Sequence, residues 1–589
     1  MRYMLDNLLE TNKYIFKCCP ERYAVYIFLN ILSVVQTVVI IKASEFTCNA
    51  VYRLFTRTSY GINKEVNIIV LYSIALILLY IISVLRKLLL SSINLKISFN
   101  FENDLNSKLS KVLWDYYEQH ETYLKIHEVK TKALASMLTL MESSMFYITT
   151  FISIFVYGFF LSQINILAVA VYFILVLISI EISDRVFDEV KDIWDKIQPH
   201  SLKQKYFFGI SGDKIGHQEY KFNRLFSFVS NRWEHYFDEE YKLRLKIFKR
   251  YEITLQTARI ILNTPYMLMM IYVSYEIVIG KHEIGFLMLC QTMFNNIVNT
   301  FGGIQQYINR DKVEAKFVRS FFDILQLKEE QKISCVRTVK GCINFEDISY
   351  SYPQSKTKAL DAFNFKIRQG EKIAIVGHNG SGKTTFTNLL MALTDNFEGN
   401  IQLGKNSNNN EISHLRNSVS CILQDFSQYQ MTIRENIEAG NSDYNFSDGE
   451  IIELLQKVGL NEYVLSLPYG IYTKLGQLDD GIDLSKGQWQ RLAIARLLAN
   501  DKASIWILDE PTAYLDPISE IETYNLIYEL AGDRTVLFIS HRLGFAKKAD
   551  RIVVFENGVI VEEGIHSELI TLNGRYAEMY RNQQEWYAA

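Results

Sequence analysis

Eight consecutive residues, Gly377-His378-Asn379-Gly380-Ser381-Gly382-Lys383-Thr384, fit the spacing GxxxxGK[ST]. Glycines in such a run let backbone N–H groups curl round phosphate oxygens. Lys383 would reach the β- and γ-phosphates, and the Thr384 hydroxyl would ligate Mg2+. The run follows an apolar strand candidate at 371–376 and opens a helical stretch at 384–393. The positive end of that helix adds to the cradle, and Thr385 continues it.

Far downstream, Ser504-Ile505-Trp506-Ile507-Leu508-Asp509-Glu510 is an apolar strand ending in two acids. A strand of this kind buries its body and presents its tip. Asp509 would hold the hydration shell of Mg2+, and Glu510 would polarise an attacking water. Taken alone, the same residues read equally well as a buried strand with two exposed acids.

Between these elements lies Leu484-Ser485-Lys486-Gly487-Gln488, which resembles the LSGGQ signature of ABC transporters. The neighbouring motifs come in that family's order. Gln424 in Gln424-Asp425-Phe426 is similar to the Q-loop glutamine, and Ala513-Tyr514-Leu515-Asp516 to the D-loop. His541 in Ser540-His541-Arg542 is similar to the switch histidine, and Tyr352 in Ser351-Tyr352-Pro353 to the tyrosine that stacks on adenine. The resemblance implies ATP and Mg2+ as ligands, with Thr384, Gln424 and Asp509 around the metal. Glu510, His541 and Gln424 would serve hydrolysis. The nucleotide would touch Tyr352, the loop from Gly377 through His378, Asn379, Gly380, Ser381 and Gly382 to Thr385, and Asp516. It further implies that two cassettes close head to tail, placing ATP between Lys383 of one and Ser485, Lys486, Gly487 and Gln488 of the other. One chain holds one cassette, so a homodimer is the simplest assembly, with a heterodimer as the alternative. Lys486 departs from the family's glycine and reads as a tolerated variant at the rim of the γ-phosphate site.

These residues need two kinds of scaffold. Apolar stretches of about 20 residues, enough to cross a bilayer, occur near 23–41, 66–85, 137–161, 166–180, 260–279 and 284–301. The segments 86–136 and 181–256 are rich in Lys and Arg, whereas the hairpin loops 162–165 and 280–283 are nearly free of them. Basic loops stay in the cytoplasm, which orients both long segments and both termini inward in the cell membrane. After a polar linker at 326–340, short apolar strands alternate with helices, and Asn557-Gly558 marks a hairpin between strands at 551–555 and 559–562. The expected fold is therefore a membrane α-helical domain of six transmembrane helices at 1–325, joined to an α/β P-loop ATPase domain at 341–589. Resemblance to the exporter architecture implies that segments 117–124 and 211–220 transmit force to the cassettes.

Composition agrees. Hydrophobic residues make up 49% of the 589 and charged residues 22%. A net charge of −3 argues against a nucleic-acid partner. Seven scattered cysteines without a CxxC pair argue against a zinc site or a disulfide framework. The N-terminal residues read as lacking a cleavable signal peptide. In the sixth span Gln291, Asn295 and Asn299 recur every four residues and share a helix face. That face reads either as helix–helix hydrogen bonding or as the polar wall of a translocation cavity.

Three stretches resemble the peptidase-less exporters of nisin-type lantibiotics: 423–426 with 432–437, 475–490 ending in Trp489-Gln490, and 211–221. That resemblance implies ATP-driven export of a modified peptide. The alternative is export of a lipid or hydrophobic drug, since such exporters share the cassette.

Overall fold

The computed structural model describes residues 2–56, 62–162, 174, 177–178, 181, 193, 196–197, 199–210, 214–330, 341–353, 355, 357–394, 396–404, 413–477, 480–511, 517–540 and 543–588. The chain divides into two compact units. One comprises Met1–Ser110 with Leu124–Leu327, the other Lys111–Tyr123 with Lys328–Ala589.

The first unit is helical. An amphipathic helix, Arg2–Cys18, leads into Pro20–Phe55, with Pro20 at the first helical position, where its missing N–H removes no bond. Further long helices are Ile62–Leu109, Leu134–Ser162, Phe226–Val278 and Gly285–Leu325. Among the described residues three helices are long and apolar enough to cross a membrane, Pro20–Phe55, Val66–Leu109 and His120–Phe160. The fourth predicted span lies mostly outside the described residues. The fifth and sixth fall within unbroken helices whose polar residues dilute their apolar character. Among the described residues the fifth includes the shorter apolar stretch Tyr266–Val278, and the sixth carries the amides noted above. As the basic segments suggested, the helices run on past the apolar stretches. Phe226–Val278 has 53 residues, about 80 Å of helix against a hydrocarbon core of about 30 Å.

The second unit is layered. Strands β1 (Ile343–Tyr350), β2 (Leu360–Ile367) and β4 (Glu398–Leu403) form an antiparallel sheet in the order β2-β1-β4. The larger sheet has the order β5-β6-β7-β3-β8-β9, built from β3 (Lys372–Gly377), β5 (Val419–Ile422), β6 (Ile505–Asp509), β7 (Thr535–Ile539), β8 (Arg551–Glu556) and β9 (Val559–Gly564). All its pairings are parallel except β8 with β9. That hairpin turns at Asn557 and Gly558, both at positive φ, as its Asn-Gly pair predicts.

The central strands are apolar throughout because both faces are covered. Ala374, Val376, Trp506, Leu508, Val536 and Phe538 enter one core beneath the helices Asp448–Lys457 and Lys486–Ala499. The alternate residues Ile373, Ile375, Ile507, Leu537 and Ile539 enter a second core with Phe386 and the small sheet. Within this unit Lys111–Tyr123, which covers most of the predicted segment 117–124, pairs with the stretch that precedes the cassette. Val112 bridges Glu329, and Glu330 N–H donates to Lys111 C=O at 2.7 Å. Of the segment 211–220, residues 211–213 lie outside the described residues and the rest belongs to the helix Lys214–Phe222.

Candidate active site

Strands β3 and β6 end on the same edge of the sheet, with β7 between them. Ligands of open α/β sheets lie at such carboxyl ends. Gly377 ends β3 at φ +152, and a Cβ there would stand 2.4 Å from Phe555 O, so no side chain fits. Gly380 and Gly382 hold φ of +79 and +105, in the left-handed region that favours glycine. The turn leads directly into the helix Lys383–Leu390, which is shorter than the predicted 384–393 and gives way to Ala392 at φ +52.

Lys383 is buried, and its Nζ donates to Gly377 O and His378 O, each at 2.9 Å. Burial pushes its ammonium below the usual lysine range, while Asp509 and Glu510 act the other way. Ser381 Oγ is buried without a hydrogen-bond partner. A buried hydroxyl and a cradle closed to side chains suit a polyphosphate, which brings acceptor oxygens and no Cβ. His378, Asn379 and Thr384 are exposed, so Thr384 is free to ligate a cation. Thr385 is buried and shares a 3.0 Å hydrogen bond with Tyr352 OH. That bond ties the tyrosine beside the start of the helix.

Asp509 ends β6. Burial first, then the neighbouring Glu510, pushes its carboxyl up to about 6. Glu510 follows at φ +46 and donates its N–H to Ile539 O at 2.8 Å. A non-glycine residue in the left-handed region is held there by its surroundings, as at many reactive sites. The turn lifts the second carboxylate out of the strand direction. Gln424, beyond β5, is exposed.

If Asp509 holds Mg2+, as the sequence pattern implies, its raised carboxyl makes that binding depend on pH. A group held up to about 6 keeps its proton at lower pH, whereas a cation needs the charged form. Affinity for Mg2+-nucleotide is therefore expected to fall as pH drops through about 6, by about fourfold between pH 7.5 and 5.5. Titration with a fluorescent nucleotide checks this, and Asp509→Asn should flatten the dependence.

Ser485 caps the helix Lys486–Ala499. Its Oγ accepts from Gln488 N–H at 3.3 Å, and Gln488 Oε1 accepts from Ser485 N–H at 2.9 Å. Lys486 is exposed at the first helical position, and Trp489 is buried with its indole N–H toward Asp483 at 3.3 Å. Asp516 and His541 lie outside the described residues.

Sequence reasoning missed Arg496. Its guanidinium donates to Asn436 O at 3.1 Å, Asn436 Oδ1 at 2.8 Å and Ser427 O at 3.1 Å, and lies 4.5 Å over the Tyr429 ring. It fastens the stretch following Gln424 to the signature helix. The available signal was a charged residue one helical repeat beyond Trp489 and Ala493, on a face otherwise buried.

The ABC transporter family profile matches residues 360–513. The nisin transport ATP-binding protein NisT of Lactococcus lactis subsp. lactis is 29% identical over 99% of this chain and 97% of its own length. The subtilin transport ATP-binding protein SpaT of Bacillus subtilis is 38% identical over 45% of this chain and 44% of its own. An ATP-dependent lipid A-core flippase of Blochmanniella floridana is 39% identical over 46% of this chain and 47% of its own. The matches to SpaT and to the flippase thus span less than half of either partner. A bacterial Atm1-family ABC exporter solved with ATP bound has the same fold, with a TM-score of 0.77 at 20% identity over 96% of this chain and 98% of its own.

Proposed function

We propose that the chain is an ATP-driven exporter, an ABC-type ATPase cassette behind an N-terminal domain of membrane helices, and that it exports a modified peptide of the lantibiotic type from the cytoplasm. One observation carries the cargo. Similarity to the nisin transporter runs over 99% of the chain, the helical half included, whereas the flippase match covers only 46%, about the length of the cassette. The helices that meet cargo therefore side with peptide transport. The flippase likeness keeps a lipid or hydrophobic drug as the second reading.

In this reading the unit of function is a pair of chains, most simply two copies, with both termini in the cytoplasm. The boundaries 1–325, 326–340 and 341–589 divide membrane domain, linker and cassette. Tyr352 stacks on the base. The N–H groups from Gly377 to Thr385 hold the phosphates. Lys383 exchanges its two carbonyl partners for β- and γ-phosphate oxygens, a charge-assisted contact stronger than the one it leaves. Thr384, Gln424 and Asp509 hold Mg2+, which when bound neutralises charge on those oxygens. Glu510 orients the attacking water and takes up its proton, with His541 beside the γ-phosphate. Ser485, Lys486, Gly487 and Gln488 of the second copy close over the nucleotide, with Asp516 at the same seam. Closure of the cassettes and their release after hydrolysis would drive alternating access.

The test is ATP hydrolysis by the full chain in lipid nanodiscs, with and without a leader-bearing lanthipeptide. A several-fold rise with peptide is the expected result. Activity that ignores peptide and rises with lipid A or hydrophobic drugs transfers the cargo to the second reading.

A further inference from the structure

The helix Gly285–Leu325 has two unlike faces. Cys290, Met293, Phe294 and Ile297 are buried in an apolar core with Ile41, Tyr157 and Val273. Among the described side chains from 289 to 310, the exposed residues are Gln291, Asn295, Asn299, Gly302 and Gln306. The exposed face is thus a ladder of four carboxamides with one glycine, carrying neither a charge nor an apolar side chain. Its first three amides fall within the stretch 284–301 that the sequence suggests as the sixth span.

We propose that this ladder is a binding wall for the main chain of an extended peptide. The inference rests on the peptide-export reading and adds how the cargo is held. Each carboxamide offers both donors and an acceptor, and so do the N–H and C=O of a peptide. The spacing agrees as well. Residues four apart on a helix are separated by about 6 Å along its axis. An extended chain advances about 6.6–6.8 Å per two residues, after which its polar groups point the same way again. Over Gln291, Asn295 and Asn299 a strand lying along the ladder meets one amide per dipeptide for about 12 Å, and Gln306 follows about 10 Å further on, past Gly302. Gly302 has nothing within 4 Å of where a Cβ would sit, which leaves room for a bulky side chain of the occupant. Recognition of this kind reads the backbone and tolerates many sequences, while the absence of charge keeps the occupant from being trapped.

A second copy of the same helix is the competing occupant. Helices associate in membranes through packing of small and apolar side chains with a few polar ones among them. A face with no exposed apolar side chain among those described from Gln291 to Gln306 gives such a seam little to pack.

The experiment uses the full chain in nanodiscs and a photoreactive synthetic peptide of about ten residues, long enough to run along the ladder. Its partner probe has the same side chains but N-methyl groups on alternate main-chain nitrogens, which removes donors without touching the protein's folding. Cross-links of the plain peptide are expected on the helix Gly285–Leu325. Labelling should fall about tenfold with the N-methylated peptide, and by a similar factor in Asn295→Leu/Asn299→Leu. Equal labelling by both peptides overturns the proposal, since side chains alone would then be read. Labelling confined to other helices overturns the ladder and leaves peptide export standing. A disulfide between two copies of Asn295→Cys in every nucleotide state, with no peptide label on this helix, makes the ladder a seam between copies. No labelling and no stimulation by peptide in the wild type removes the export reading and the ladder together.

Discussion

In Glu510→Gln, ATP turnover is expected to fall by about 10²- to 10⁴-fold, the range for loss of a positioned general base, while nucleotide affinity stays close to that of the wild type. Glutamine keeps the shape of the side chain and loses the charge that takes up the proton. The backbone that aims it, at φ +46 with its N–H on Ile539 O, does not depend on the carboxylate. In the proposed site, binding would rest instead on the cradle around Lys383 and on Asp509. The variant should therefore hold ATP without turning it over. A filter assay with labelled ATP read beside phosphate release would show this. Turnover within tenfold of the wild type would move the base elsewhere, with His541 the first candidate.

Arg551→Met is expected to destabilise the cassette by about 3–5 kcal/mol, the usual cost of leaving a buried charge without its partner. Arg551 is 9% exposed. It donates to Glu371 Oε2 at 2.7 Å, to Glu563 Oε1 at 2.6 Å and to Lys366 O at 2.6 Å, with its guanidinium 5.1 Å over Phe365. Glu371, also 9% exposed, would be left charged and buried at the root of β3. For a unit of this size the loss lowers the melting midpoint by about 10 °C. Calorimetry of the full chain can follow it. Adding Glu371→Gln to Arg551→Met should recover part of the loss, because the orphaned charge is then gone. A double variant no more stable than the single would place the effect in packing on Phe365.

The cassette was legible in the sequence because its chemistry is local. Gly377, Gly380 and Gly382 occupy backbone positions that admit little else, and β3 is apolar on both faces, so the strand expected at 371–376 shifted by a single residue to Lys372–Gly377. Arg496 was not legible. Its partners Ser427, Tyr429 and Asn436 are distant in the chain, and nothing in the local pattern names them. The membrane half shows the opposite limit. Composition located the spans of Pro20–Phe55 and Leu134–Ser162, but a helix such as Gly285–Leu325 divides its polar and apolar residues between two faces. Averaged hydropathy blurs that division; the four-residue spacing put Gln291, Asn295 and Asn299 on one face, and the burial of Cys290, Met293 and Phe294 shows that this face is the exposed one.

The helix Phe226–Val278 is a beam about 80 Å long, stiff because every turn is braced by the next. A tilt of 5° about one end carries the other end about 7 Å, so a modest rotation at one tip becomes a wide excursion at the other. Pro265, inside this helix, lacks the N–H that would complete the brace. It gives the beam a soft joint roughly three-quarters of the way along, where swing can turn into bend.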